Sequence, residues 1–224
     1  MKKILPALIT GLLLSGATHA DENPVTAEKL SDSVYVLFGQ GGNIAASVGE
    51  DGIYIIDDQF AKLSNDIKKT ISDLKPGSAE FVINTHHHGD HTGGNENFAK
   101  AGAHVIAHDN VHKRLEEKHG ANSDYLPRIS FGHDLKLHFN NEHAHVVHYA
   151  HAHTDGDSVI FFNNDNIVHM GDIYFNFGSL PFVDVDSGGS VDGILAAVND
   201  VIKQIDERTI VIPGHGPVSD RSGL

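Results

Sequence analysis

Thr85-His86-His87-His88-Gly89-Asp90-His91-Thr92-Gly93-Gly94 packs four histidines and one aspartate into residues 86–91. The apolar run from Phe81 to Asn84 leads straight into it, so the cluster stands at a strand exit. Side chains two apart on an extended chain share a face, which aims His86 and His88 to the same side. Gly89 then allows a sharp turn, and Asp90 and His91 address a second point nearby. Two histidines on one metal and an Asp-His pair on another use this spacing coherently. Imidazole and carboxylate suit Zn2+, and also Fe or Mn. A solvated histidine tract binds metal adventitiously, but it explains neither the preceding strand, nor the embedded aspartate, nor the glycine pair.

Four ligands cannot complete two sites, so the rest of the chain must supply more. Three residues stand where apolar runs end beside glycine. His153 follows the run ending near Tyr149, Asp172 follows Ile167 to Met170, and His215 follows Thr209 to Ile212. Singly each reads as a turn residue; jointly with the cluster, the ligand reading wins.

Working outward, short β-type runs cover Val34 to Phe38, Ile44 to Val48 and Ile53 to Ile56, separated by the turn compositions at 39–43 and 49–52. Leu63, Ile67, Ile71 and Leu74 recur at helical spacing up to Pro76-Gly77. A helix over Asn95 to Lys100 and a strand over Val105 to Ala107 come next, then a helical or irregular stretch. Strands follow at His145 to Tyr149, Ser158 to Phe162 and Ile167 to Met170. Val191, Ile194, Leu195, Val198, Val201, Ile202 and Ile205 form one face of a last helix. Residues 178–189 read as the longest structureless stretch, of the kind that makes lids or pocket walls. The whole reads as one α/β domain over residues 21–224.

Composition narrows the chemistry. The chain has 224 residues, 18 His against 16 Lys plus Arg, no Cys and a net charge of −14. Without Cys, thiolate metal sites, thiolate nucleophiles and disulfides are excluded. The acidic balance disfavours a nucleic-acid partner held through phosphates. Residues 1–20 read as a secretory signal: Lys2 and Lys3, an apolar run from Ile4 to Leu14, and Thr18-His19-Ala20 as the cleavage site. The run is short of the ~20 residues a membrane span needs. The expectation is a periplasmic or secreted protein, cut after Ala20, with a small-molecule substrate and an oligomeric state the residues leave open.

In order, Thr-His-His-His-Gly-Asp-His-Thr-Gly-Gly, Ala-His-Thr-Asp-Gly-Asp, Met-Gly-Asp and Pro-Gly-His-Gly resemble the metallo-β-lactamase-fold superfamily, over about Val34 to His215. The resemblance implies an αββα sandwich with metals at one edge. It implies two Zn2+, with Fe or Mn as substitutes: His86, His88 and His153 on the first, Asp90, His91 and His215 on the second, and Asp172 bridging. It further implies a hydroxide shared between metals ~3.5–4 Å apart, oriented by the catalytic Asp90 and attacking an ester, thioester or lactam carbonyl. Asp172 stands where one class of β-lactamases has Cys, so the chain looks more like the glyoxalase II, lactonase and general hydrolase branches. His88 stands where flavo-di-iron oxidoreductases usually carry Glu. The chain runs eight residues past Gly216, short of the C-terminal helices with which glyoxalase II grips glutathione. The expectation therefore includes a C-terminus cut short of a further helix. Three alternatives stay open: β-lactam opening, iron-dependent oxidation of sulfur, and zinc binding without turnover.

Gly41 and Asn43, in a loop that overhangs the metals in the resembled family, and Tyr174 and Phe175 are the expected pocket residues. Phe177, Leu180 and Phe182 extend that wall, with about half of these aromatics expected in the core. His87 is expected to point away, and His145, His148 and His151 to lie at the surface or behind the ligands. His169 is a second candidate for contact with a ligand. His104, His108, His112 and His119 read as solvent-facing.

Overall fold

Alternation along the strands decides where each layer packs. Tyr54 and Ile56 point to one side and Ile53 and Ile55 to the other, yet all four are buried, which requires cover on both faces. The computed structural model describes residues 24–224, and the expected leader lies outside them.

Among the described residues thirteen strands form two sheets. The first runs in order β1 (Thr26–Lys29), β2 (Val34–Phe38), β3 (Ile44–Val48), β4 (Ile53–Ile56), β5 (Phe81–Ile83), β6 (His104–His108) and β7 (Ile129–Phe131). The second holds β8 (Asp134–Phe139), β9 (Glu142–His148), β10 (Ser158–Phe162), β11 (Ile167–His169), β12 (Ile210–Ile212) and β13 (Ser219–Asp220), again neighbouring in sequence order. The helices are α1 (Ser64–Leu74), α2 (Gly89–Thr92), α3 (Asn95–Lys100), α4 (Asp109–His119) and α5 (Val191–Gln204). The chain crosses from one sheet to the other between β7 and β8.

Val36, Tyr54, Ile56 and Ile83 of the first sheet meet Val146, Ile160, Phe162 and Ile212 of the second in the central layer. On the outer face of the first sheet, Ile53, Ile55 and Val82 pack under Ile67 and Ile71 of α1 and Phe98 of α3. On the outer face of the second, Val159, Val168 and Val211 pack under Ile194, Ala197 and Val201 of α5. This is the αββα sandwich that the motifs imply. No helix among the described residues is long and apolar enough to cross a membrane.

Some details differ from the expectation. The stretch after Ala107 divides into α4, β7 and β8. Residues 178–189 include a single 3-10 turn, Val185–Ser187, whose start is capped by the Asp184 carboxylate accepting from the Ser187 amide at 3.1 Å. His108 is not in solvent. It is buried on β6, its ring stacks on His148 with centroids 3.5 Å apart, and its Nε2 faces the Gly132 carbonyl at 3.0 Å.

Candidate metal centre

Parallel pairing brings the site together. In the first sheet Ile56 of β4 is opposite Ile83 of β5, so the residues that follow, Asp57 and the 84–91 segment, leave the sheet side by side. In the second sheet His169 of β11 is opposite Ile212 of β12, and Asp172 and His215 emerge beside each other. His153 arrives from the turn between β9 and β10. All seven expected ligands converge on the same edge of the sandwich.

They fall into two groups around one carboxylate. Asp172 Oδ2 lies 3.7 Å from His86 Nε2 and 3.5 Å from His153 Nε2, while His88 Nδ1 faces His153 Nε2 at 3.0 Å. Asp172 Oδ1 lies 3.0 Å from His91 Nε2 and 3.5 Å from His215 Nε2. Asp90 Oδ2 completes that second group, 3.3 Å from His215 Nε2 and 3.7 Å from His91 Nε2. Each Asp172 oxygen thus serves one group, which is the disposition of a bridging carboxylate. His86, His91, His153 and Asp172 are buried; Asp90 and His215 are partly open.

These residues fit metal cations on their own chemistry. His86 Nε2 and Asp172 Oδ1 are buried without a directed hydrogen bond, an arrangement that costs free energy unless something else fills the role. Ring nitrogens face ring nitrogens at 3.0 Å and 3.3 Å, lone pair toward lone pair unless a cation or proton lies between. The electrostatics point the same way. Burial holds the His86 pKa well below the ordinary value, and the neighbouring His91 adds to it. Burial opposes charge on His91 too, but Asp172 and Asp57 outweigh it and hold its pKa well above. His215 is pushed up to about 9, with burial overcome by Asp172 and Asp90. The carboxylates here demand positive charge, and divalent ions supply it without protons.

The nitrogens that face away from the centre are held. His91 Nδ1–H donates to Asp57 Oδ2 at 2.7 Å, and Thr85 donates to the same carboxylate through its amide and its hydroxyl at 2.7 Å and 2.8 Å. His86 Nδ1 faces Thr85 Oγ1 at 3.0 Å. His88 Nε2–H donates to Asp184 Oδ2 at 2.9 Å, and His153 Nδ1–H donates to the Phe182 carbonyl at 2.6 Å. Such outer acceptors fix tautomer and ring angle, leaving the inner nitrogen as a lone pair. Asp57 carried a sequence signal: it follows the apolar run Ile53–Ile56 just as Asp172 and His215 follow theirs. Asp184 and the Phe182 carbonyl sit in the loop before α5 and carry none.

The remaining expected residues are placed as follows. Gly42 sits against the His91 ring, where an added Cβ would fall 2.0 Å from Cε1, so only glycine fits. Gly41 rests on the Asp90 carbonyl, its own Cβ position 2.6 Å from that oxygen. Asn43 is buried and turned inward: its amide donates to the Pro213 and Gly216 carbonyls at 2.9 Å and 2.8 Å, bracing the loop that carries His215. Tyr174 sends its hydroxyl to Ser219 Oγ at 3.1 Å, whereas the Phe175 ring packs edge-on against His215, centroids 4.9 Å apart. Phe177, Leu180 and Phe182 are exposed rather than core. His169 does not touch a ligand side chain; it donates to the Asn43 carbonyl at 3.1 Å and accepts from the Gly171 amide at 3.1 Å. His87 lies half-buried beside His88, 3.4 Å from Ser187 Oγ.

Residues 59–217 match the family model described as the metallo-beta-lactamase superfamily. A probable hydroxyacylglutathione hydrolase of Schizosaccharomyces pombe is 27% identical over 61% of this chain and 48% of its own length. A hydroxyacylglutathione hydrolase of Pelagibacter ubique is 28% identical over 61% of this chain and 51% of its own. The chain spans about half the length of these curated relatives. Among solved structures, a metallo-beta-lactamase from Pontibacter korlensis superposes with a TM-score of 0.78 at 16% identity, covering 89% of this chain and 94% of that one. The DIM-1 metallo-beta-lactamase superposes with a TM-score of 0.76 at 16% identity, covering 89% and 92%. At that identity these two likenesses establish the fold.

Proposed function

Because the chain belongs to the metallo-beta-lactamase superfamily of hydrolases, we propose that it is an exported dinuclear-metal hydrolase acting on an ester, thioester or lactam carbonyl. The observation that carries the reading is Asp172, one oxygen toward His86 and His153 and the other toward His91 and His215. His86, His88, His153 and Asp172 would hold one ion, and Asp90, His91, His215 and the second Asp172 oxygen the other. When bound, two Zn2+ ions, or Fe or Mn in their place, supply an acidified water and polarise the carbonyl oxygen.

The chain's own residues do the rest. Asp90, partly open at the mouth, orients the attacking water and takes its proton. Burial of His86, His91 and Asp172 keeps bulk water from competing at the back of the site. Asp57, Asp184 and the Phe182 carbonyl hold the imidazoles in place, so little reorganisation accompanies reaction. The relatives' printed activity supports a thioester among the three carbonyl classes. Export rests on the composition of residues 1–20 alone, and N-terminal sequencing of the mature protein tests it: the first residue should be Asp21.

The decisive experiment is elemental analysis alongside a panel of ester, thioester and lactam substrates. Two ions per chain and chelator-sensitive hydrolysis are expected, and Asp90→Asn should keep the fold while losing ~100-fold or more in turnover. One iron per chain with oxygen consumption, or two ions with no turnover on any substrate, would overturn it.

A further inference from the structure

The loop between Asp172 and α5 carries a second message. Phe177, Leu180, Phe182 and Val185 on that loop are exposed, as are Val191 and Leu195 on the adjoining helix, and Leu180 is 91% exposed. Among the described residues the only other exposed large apolar side chain is Ile129, so the exposed large apolar side chains are concentrated on this loop and the start of α5. Leu180, Val191 and Leu195 line one apolar hollow with Pro181 and Val183, and a contiguous patch of this sort marks an interaction site.

The patch is continuous with the metal centre. Phe175 packs on the His215 ring at 4.9 Å and on Phe177 at 5.3 Å, and Phe182 faces the His153 ring at 6.0 Å. Phe175 also lines a groove of about 350 Å³ that runs beneath Leu180 and Pro181, over Ile194 and Leu195 of α5, to Leu224. No Lys or Arg lines this groove. Neither does any occur in the two loops beside the metals, 39–43 and 174–190. Arg114, near His87, is already held by the Asp155 carboxylate at 2.7 Å and 2.8 Å. A substrate bearing a carboxylate would find no cationic side chain in these loops and would meet Asp90 and Asp184. An apolar chain would find a trough one wall of which, Phe175, rests on the His215 ring.

We propose that this groove is the acyl subsite, and that the substrate class is a neutral ester, thioester or lactone with an extended apolar acyl chain. This rests on the hydrolase reading above. Water adds its hydroxyl to the acyl carbon, the bond to the alkoxide or thiolate breaks, and the proton goes to that leaving group, while the released fatty chain lies along Phe175, Leu180 and Leu195.

Two measurements separate this inference from the reading it rests on. In the first, metal-loaded protein is given p-nitrophenyl acetate, octanoate and the suberate half-ester, the octanoyl-length chain that ends in a carboxylate. Because each fully buried methylene is worth about fourfold, kcat/KM for octanoate should exceed that for acetate by about 10- to 100-fold, with the half-ester at least about tenfold below octanoate. Leu180→Asp and Leu195→Asp should collapse the octanoate-to-acetate ratio, and Ile129→Asp, on the remote exposed site, should leave it in place. A ratio near one in the wild type, or one untouched by both groove substitutions, overturns the acyl subsite while leaving the hydrolase intact. So does a shift in oligomeric state on size exclusion without a change in ratio, which would make the face an interface between copies.

In the second, decan-1-ol, which has no carbonyl to cleave, is titrated calorimetrically into metal-loaded protein. Binding with a negative heat-capacity change, lost in the Leu180→Asp/Leu195→Asp double variant, supports the groove even if no ester is cleaved. Equal binding by both proteins, or none by either, overturns it.

Discussion

Asp57 shows how much of the centre depends on a residue that touches no substrate. Its carboxylate accepts from His91 Nδ1 and twice from Thr85, and Thr85 in turn faces His86, so one buried group steers a histidine in each half of the site. Its backbone is left-handed, φ 63°, a conformation that asparagine tolerates. Asp57→Asn should therefore fold but turn an amide N–H toward a donor, weakening Zn2+ binding by about 10- to 100-fold in a chelator competition. Unchanged affinity would show that the His91 ring is held by packing alone. The candidate ligands His153, Asp172 and His215, which the structure brings beside the 86–91 cluster, were legible because each follows an apolar run and sits near a glycine. Asp57 carries half of that signal: it follows the apolar run of β4, but no glycine stands beside it. Asp184 was not legible, because it works from an irregular loop where neither periodicity nor spacing marks a residue.

At the scale of elements, legibility followed burial. β4, β10 and α5 announce themselves through apolar patterns because they pack against other layers. β1 has four exposed residues and joins the sheet through its backbone pairing with β2, so its side chains carry no pattern to read. β8 alternates partly buried and exposed residues at the edge of the second sheet, too weakly to stand out beside α4. α5 docks through Val201, fully buried, while Leu195 is 54% exposed. Val201→Ala should lower stability by about 2 kcal/mol in a denaturant titration, since it removes buried methyl groups and leaves a cavity. A loss below about 0.5 kcal/mol, the range of surface changes, would mean that the helix rests on the sheet without close packing.

The stacked pair of His108 on β6 and half-buried His148 on β9 gives a pH dependence. Burial, with the adjacent His108, lowers the His148 pKa from 6.5 to about 4. The unfolded chain then binds the extra proton between those values and the folded chain does not. Stability should fall as the pH drops through that window and be fully retained from this group above 6.5. His148→Asn keeps a donor for the Asp157 carbonyl, which His148 Nδ1 reaches at 2.9 Å, and cannot titrate. In metal-free protein the variant's denaturant midpoint should depend less steeply on pH between 6.5 and 4 than the wild type's. An identical slope would refute the assignment.

For the whole molecule, the centre joins the two layers. His86, His88, Asp90 and His91 come from the first sheet's side, and His153, Asp172 and His215 from the second's. Ions bound there as proposed would favour the folded state by mass action, in proportion to the logarithm of their concentration. The melting temperature should fall by several degrees on chelation and climb again with added Zn2+. A melting temperature indifferent to both would mean that the sheets stay docked without help from the ions.

The one crossing between the sheets among the described residues, from Phe131 to Asp134, gives this arrangement a further meaning. Cut there, the chain yields two fragments that each own one sheet and an incomplete share of the donors. On the proposed metal reading neither fragment holds the full donor set, so loading would act as a checkpoint on assembly. On that reading a chain whose halves met out of register would stay empty, and only correctly mated halves would acquire chemistry.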